Sequence, residues 1–235
     1  GSTMSLSKLT DQELEAIIAD SAKEWISRNQ DAGKIILYDG TVVSLLGFKP
    51  SDFNPEHCFN ILPNINRYNG NTYIQFSVGQ HSLLCYEISK ALFATPEDEF
   101  LCLIHDFQES LVGDCISPIK HLPISAGFRI AEDHLAECIR ESLGISSYWN
   151  THSAVRVKLV DKLALSIEVH NLNKYYYLDI WGSYIFPMYD VKRIIGDYGA
   201  KYNYSLIGDI LGYQPRQVEV RLRNIFNNLH QKLGV

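Results

Sequence analysis

Two histidines and two aspartates stand where their chemistry matters. His81 shares a helical face with Leu84, Cys85, Ile88 and Leu92. His105 shares one with Leu101, Cys102 and Glu109, and is followed directly by Asp106. Asp161 falls on a face with Val157, Ala164, Leu165 and Glu168. A carboxylate turned toward a core is costly unless it is paired, protonated or bound to a cation. Two imidazoles and two carboxylates suit a divalent ion (Co2+, Mn2+, Mg2+ or Zn2+) that keeps positions open for water and a substrate. Each residue has a plainer reading too. His81 alone fits a hydrogen-bonded core histidine, and Asp161 alone fits a surface pair with Lys158 or Lys162. Three helices that each turn such a group inward point instead to one polar site inside a bundle.

The elements that must position these groups can be read from periodicity and caps. Near-helical spacing of Leu14, Ile17, Ile18 and Trp25, with Thr10 and Glu13 as a capping box, predicts a helix over 11–29. Asp39-Gly40 between two β-branched runs predicts a hairpin over 34–43 with a two-residue type I′ turn. Helices are expected over 80–93, from Thr95 to a stop at Gly113, over 129–143 and over 153–170. An aromatic stretch follows, Tyr175 to Phe186, and a last helix starts near Pro215. The fold class expected is all-α, a helical bundle with a small amino-terminal β-hairpin. Its parts would be a helical extension over 1–33, the main domain over 34–185 and a helical extension over 186–235.

Composition narrows the field further. The chain has 235 residues, 46% apolar and 20% charged, enough for one sizeable core. No apolar run reaches the roughly 18 residues of a membrane span, and no secretory pattern opens the sequence, so a cytoplasmic protein without membrane contact is expected. Five cysteines without a CxxC pair suggest neither a disulfide framework nor a thiolate zinc site. A net charge of −6 argues against whole-surface binding to nucleic acid.

The motifs resemble those of the HD-domain metal-dependent phosphohydrolases. Gln80-His81-Ser82, His105-Asp106 and Asp161 look like that family's H…HD…D signature. The likeness extends to Asn66-Arg67-Tyr68-Asn69-Gly70 with Phe76-Ser77-Val78-Gly79, to Glu109, Gly113-Asp114 and Pro118 through Lys120, and to Val157-Lys158 with Glu168. Over about 34–171 these are similar to the 5′-deoxynucleotidase branch, which includes phage deoxynucleoside triphosphohydrolases, one of them acting on dATP. The resemblance implies a divalent metal held by His81, His105, Asp106 and Asp161, with Glu109 and Asp114 as catalytic carboxylates. It implies Arg67, Lys120 and Lys158 as phosphate contacts and Tyr68 packed on the sugar. The expected function is hydrolysis of the 5′-phosphate ester of a nucleotide, as a nucleotidase or a triphosphohydrolase, by a homo-oligomer. Gly79 stands where relatives commonly carry alanine, and Phe107-Gln108 is bulkier than usual, a feature expected to reshape the pocket wall.

A second reading concerns the tail. Residues 191–235 hold seven Lys/Arg and three acids, a local charge of +4. Tyr204 to Phe226, with Gly212 between two helical patterns and Arg216, Arg221 and Arg223 on the second, looks like a helix-turn-helix. The alternative function is therefore a regulator whose tail binds DNA. The plainer reading, a helical hairpin that caps the bundle or forms an oligomer contact, is preferred.

Overall fold

The computed structural model describes residues 5–93, 95–173, 182–196 and 207–235. Helix α1 (Asp11–Arg28) starts at the expected capping box: the Thr10 hydroxyl accepts from the Glu13 amide and the Glu13 carboxylate accepts from the Thr10 amide. The hairpin pairs β1 (Lys34–Ile36) with β2 (Val42–Ser44), Ile35 opposite Val43. Its turn differs from the expectation. The Leu37 amide donates to the Thr41 carbonyl and the Gly40 amide to the Leu37 carbonyl, and only Gly40 has positive φ, at 86°. That is a three-residue loop, a type I turn closed by a left-handed glycine. Asp39 accepts from the Thr41 amide and keeps negative φ, so the mirror-image turn is not needed.

Helices α2 (Pro55–Ile61) and α3 (Val78–Leu92) follow, the latter capped by a reciprocal Ser77–Gln80 box that sets its start two residues before Gln80. Helix α4 (Pro96–Ile104) is capped by Thr95 with Pro96 in its first turn. The continuous helix expected to Gly113 does not form. Cys102 gives its carbonyl to the His105 ring at 2.7 Å, and Phe107 gives its own to the Ser110 hydroxyl. Residues 105–108 tighten into i→i+3 turns before a single turn, α5 (Glu109–Val112), resumes. Gly113, with φ of 78°, stops it as expected. Lys120 ends a one-turn helix, α6 (Ser117–Lys120). Then come α7 (Ala126–Ser142), α8 (Thr151–Leu172) capped by Asn150, α9 (Met188–Ile195) and α10 (Pro215–Leu233). Most of the aromatic stretch, 174–181, and the segment 197–206 lie outside the described residues. No helix among those described is long and apolar enough to cross a membrane.

The core is laid around α3, which packs on α4, α8 and α10. Phe226 of α10 fits among Phe59, Phe100 and Phe107, with ring centroids 5.2, 5.1 and 6.0 Å away. Burying each such ring contributes roughly 1.5–3 kcal/mol. Val218, Leu222 and Leu229 are buried in the same cluster, so α10 is part of the body that holds α3. Gly79 makes that approach possible. A Cβ on it would meet Val218 Cγ1 at 2.8 Å and the Pro63 backbone at 3.1 and 3.2 Å. A smaller cluster seats the hairpin on α7 through Val43, Phe48, Leu135 and Cys138.

Candidate metal centre

His81 comes from the first turn of α3, His105 and Asp106 from the tightened turn after α4, and Asp161 from the middle of α8. Four sequence positions expected as ligands therefore do converge. His81 Nε2 lies 3.0 Å from Asp161 Oδ1, 3.3 Å from Asp106 Oδ2 and 3.4 Å from His105 Nε2. His105 Nε2 lies 3.1 Å from Asp106 Oδ2 and 3.4 Å from Asp161 Oδ1. The other nitrogen of each ring is engaged elsewhere: His81 Nδ1 with Glu168 Oε2 at 2.5 Å, His105 Nδ1 with the Cys102 carbonyl. With Nδ1 of each ring engaged, Nε2 is the atom turned toward the two aspartates, and it is the nitrogen a metal would take once its proton is displaced.

Electrostatics point the same way. Burial and Arg67 oppose charge on His81, but Cys85, Glu168 and Asp106 outweigh them and raise its pKa well above the ordinary imidazole range. For His105 burial is likewise outweighed, chiefly by Asp106. Burial works against the anionic forms of Asp106 and Asp161, yet the two imidazoles hold both well below the usual carboxylate range. A cluster that draws protons onto its imidazoles in this way is a cluster that favours a cation. His81, Cys85, His105 and Asp161 bring their donor atoms within 4.8 Å of one another and could hold a metal ion. Cys85 stands somewhat apart. Its sulfur is 3.5 Å from His81 Nε2 and 4.0 Å from Nδ1, distances that place it beside the ring rather than along the outward axis of Nε2.

Asp106 and Asp161 also line a cavity of about 480 Å3, and Glu109, Asp114, Arg67, Tyr68 and Lys120 line it with them. Glu109 is buried, and its Oε1 has no hydrogen-bond partner. Burial, reinforced by Asp106 and Asp114, holds its carboxyl well above the ordinary range. Asp114, set free of helical periodicity by Gly113, is raised by burial too, against the pull of Arg67. Arg67 Nε binds Glu168 Oε1 at 2.6 Å, and the Tyr68 hydroxyl donates to the same oxygen at 3.0 Å. Tyr68 and Asn69 both have positive φ, 58° and 52°, a conformation uncommon for tyrosine and held here by that hydroxyl contact. Lys120 makes an ion pair with Glu132, whose other oxygen is buried without a partner.

Two expectations are corrected. Lys158 is exposed on α8 and does not line the cavity, because it lies toward the amino end of the helix, whereas the lining runs from Asp161 to Leu165 and Asn173 on the carboxyl side. Phe107 does not shape the pocket wall. The tight turn that projects Asp106 outward buries Phe107 against Phe59 and Phe226. Glu168 and Glu132 were given no role from sequence, although a carboxylate on the apolar face of α8 was the available signal for Glu168. The tail arginines are occupied: Arg223 with Glu56 and Glu219, Arg216 with Glu219, and Arg221 over the Tyr213 ring at 4.4 Å.

No family model matches the chain. Over 144 residues it is 26% identical to an uncharacterized protein of Rhodobacter capsulatus, covering 58% of this chain and 71% of that one. Over 111 residues it is 31% identical to the uncharacterized protein YfdR of Escherichia coli K12, covering 47% of this chain and 56% of that one.

Proposed function

We propose that the protein is a metal-dependent phosphohydrolase that cleaves the 5′-phosphate ester of a nucleotide, a deoxynucleotide first among the candidates. The observation that carries this reading is Glu109: a buried carboxyl with an unpartnered oxygen, its hold on a proton strengthened by burial and by Asp106 and Asp114, in the same cavity as the His/Asp cluster. His81, His105, Asp106 and Asp161 would hold the ion. When bound, a divalent ion such as Co2+, Mn2+, Mg2+ or Zn2+ supplies Lewis acidity, offsetting phosphate charge and acidifying water.

The chain's own groups then have separable tasks. Glu109 holds a proton where a leaving alkoxide oxygen can take it. Asp114, beside Glu109, orients water and accepts its proton. Arg67, held on Glu168 through Nε, lines the cavity and offers its charge to an anion there, with Lys120 as a second cation. Tyr68 offers its ring to a sugar while its hydroxyl stays on Glu168. A volume of about 480 Å3 lies within the range of nucleotide-sized sites.

The test is a release screen over nucleoside mono-, di- and triphosphates, ribo and deoxy, with each of several divalent metals. Inorganic phosphate as product indicates a nucleotidase, and tripolyphosphate a triphosphohydrolase. No metal-dependent release from any nucleotide would sink the proposal.

A further inference from the structure

Against the His105 ring lies a second pocket, of about 190 Å3, that shares no lining residue with the larger cavity. Leu101, Ile104, Ile139 and Val157 give it apolar walls, and Gln108 and Arg140 bring polar groups to it. Both are unusual for this chain. Gln108 is buried, yet its amide makes no hydrogen bond among the described residues, whereas buried Gln80 bonds the Ser77 amide and the Ile210 carbonyl. Neither polar atom of the Gln108 amide is sealed off, so the amide meets the pocket. The other buried or half-buried arginines among the described residues each have a protein acceptor: Arg67 on Glu168, Arg129 on the Lys120 and Leu122 carbonyls, Arg156 on Asp98 and Arg223 on Glu56. Half-buried Arg140 has none among them. Its guanidinium instead lies over the Trp149 ring, 4.5 Å from the centroid, which fixes its plane and leaves its edge donors free. Burial lowers its pKa against the pull of Glu137 and Asp133, neither of which forms an ion pair with it.

We propose that this pocket binds a small monocarboxylate with a short apolar tail, its head on Arg140 and Gln108 and its tail among the four aliphatic side chains. The edge of a guanidinium matches the two oxygens of a carboxylate, and an amide NH2 donates a further bond. Donors that have no protein acceptor and little contact with water gain most from an anion that reaches both of them. Charge selects the valence. One guanidinium balances a monoanion, while Asp133, exposed at the rim, disfavours a second negative charge. Size selects the class. The volume is below the roughly 300 Å3 at which sites for drug-sized ligands begin, so a whole nucleotide does not fit. The site is separate from the reaction proposed above and does not rest on it.

Calorimetric titration of the full chain with benzoate tests this. Benzoate should bind with a Kd of about 1 mM or below, and benzamide and inorganic phosphate at least about tenfold more weakly. Arg140→Gln and Gln108→Leu should each weaken benzoate by about tenfold or more. Gln108→Leu replaces a partnerless amide with an apolar group of similar size, so its melting temperature should hold or rise while binding falls. Lys120→Met, which alters the larger cavity, should leave benzoate binding unchanged. Absence of benzoate binding in the parent, benzamide binding as tightly as benzoate, or binding that persists in Arg140→Gln and Gln108→Leu each overturns the proposal. So does binding that Lys120→Met abolishes, since the carboxylate would then sit in the larger cavity.

Discussion

Glu168 Oε2 meets His81 Nδ1 at 2.5 Å, while its Oε1 takes Arg67 and Tyr68. One fully buried carboxylate therefore sets the tautomer of a candidate ligand and the position of two candidate substrate contacts. Burial alone would raise its pKa, but Arg67 first and then His81 hold it below the ordinary range.

Glu168→Gln keeps the shape and removes the charge that makes His81 a strong donor. Metal affinity should fall by about 10–100-fold. Competition against a chromophoric chelator measures this. Unaltered affinity would mean that the His81 ring is fixed by packing alone.

Asp161→Ala should abolish turnover and lower bound metal while the fold persists, because the Asp161 carboxylate is half-exposed toward the cavity. Donors that meet only in the folded chain link binding to folding, so divalent metal should raise the parent's melting temperature. The variant should show little such rise. Metal analysis and paired melting curves decide it, and full occupancy in Asp161→Ala removes the residue from the ligand set.

Glu109→Gln should cut turnover by about 10²–10⁴-fold with metal content retained. It also has a pH signature in the metal-free protein. Because folding raises the Glu109 pKa, the folded state binds more protons than the unfolded one above about pH 4.3, and stability falls as pH rises through the raised value. The glutamine variant lacks this loss. It should therefore gain stability relative to the parent at pH 8 and lose that advantage at pH 4. Denaturant titrations at the two pH values give the sign, and equal differences at both would refute a buried, proton-holding Glu109.

Gly79→Ala should be harmful. The added methyl meets Val218 at 2.8 Å and the Pro63 backbone, and overpacking of this kind costs about 1–3 kcal/mol. Chemical denaturation should show the loss, and Val218→Ala should recover only part of it, since Pro63 cannot move away as a side chain can. A fully stable Gly79→Ala would show that α10 shifts freely.

The sequence makes the four converging donors visible because helical periodicity marks a polar residue on an apolar face without reference to its partners. It misses the break between His105 and Glu109, and with it the inward burial of Phe107, because the turn at 105–108 arises from side chains taking backbone carbonyls, which periodicity does not register. Glu168 escapes for another reason. Its place on the apolar face is visible, but its partners lie 87 and 101 residues away, and spacing within α8 does not name them. The hairpin shows a similar split: Asp39-Gly40 marks the turn, but its type depends on which residues pair, and that is set by the seat of Val43 and Phe48 on α7. Lys158 lies three residues before Asp161, and periodicity does not say which end of α8 faces the cavity.

The seating of α10 under α3 also fixes an order of events. During synthesis every candidate donor, from His81 to Asp161, leaves the ribosome before Val218 and Phe226 exist to close the core beneath Gly79 and Phe107. Until then the candidate donors stand on helices whose core is not yet closed. A helix that contributes none of them, α10, completes the packing beneath α3.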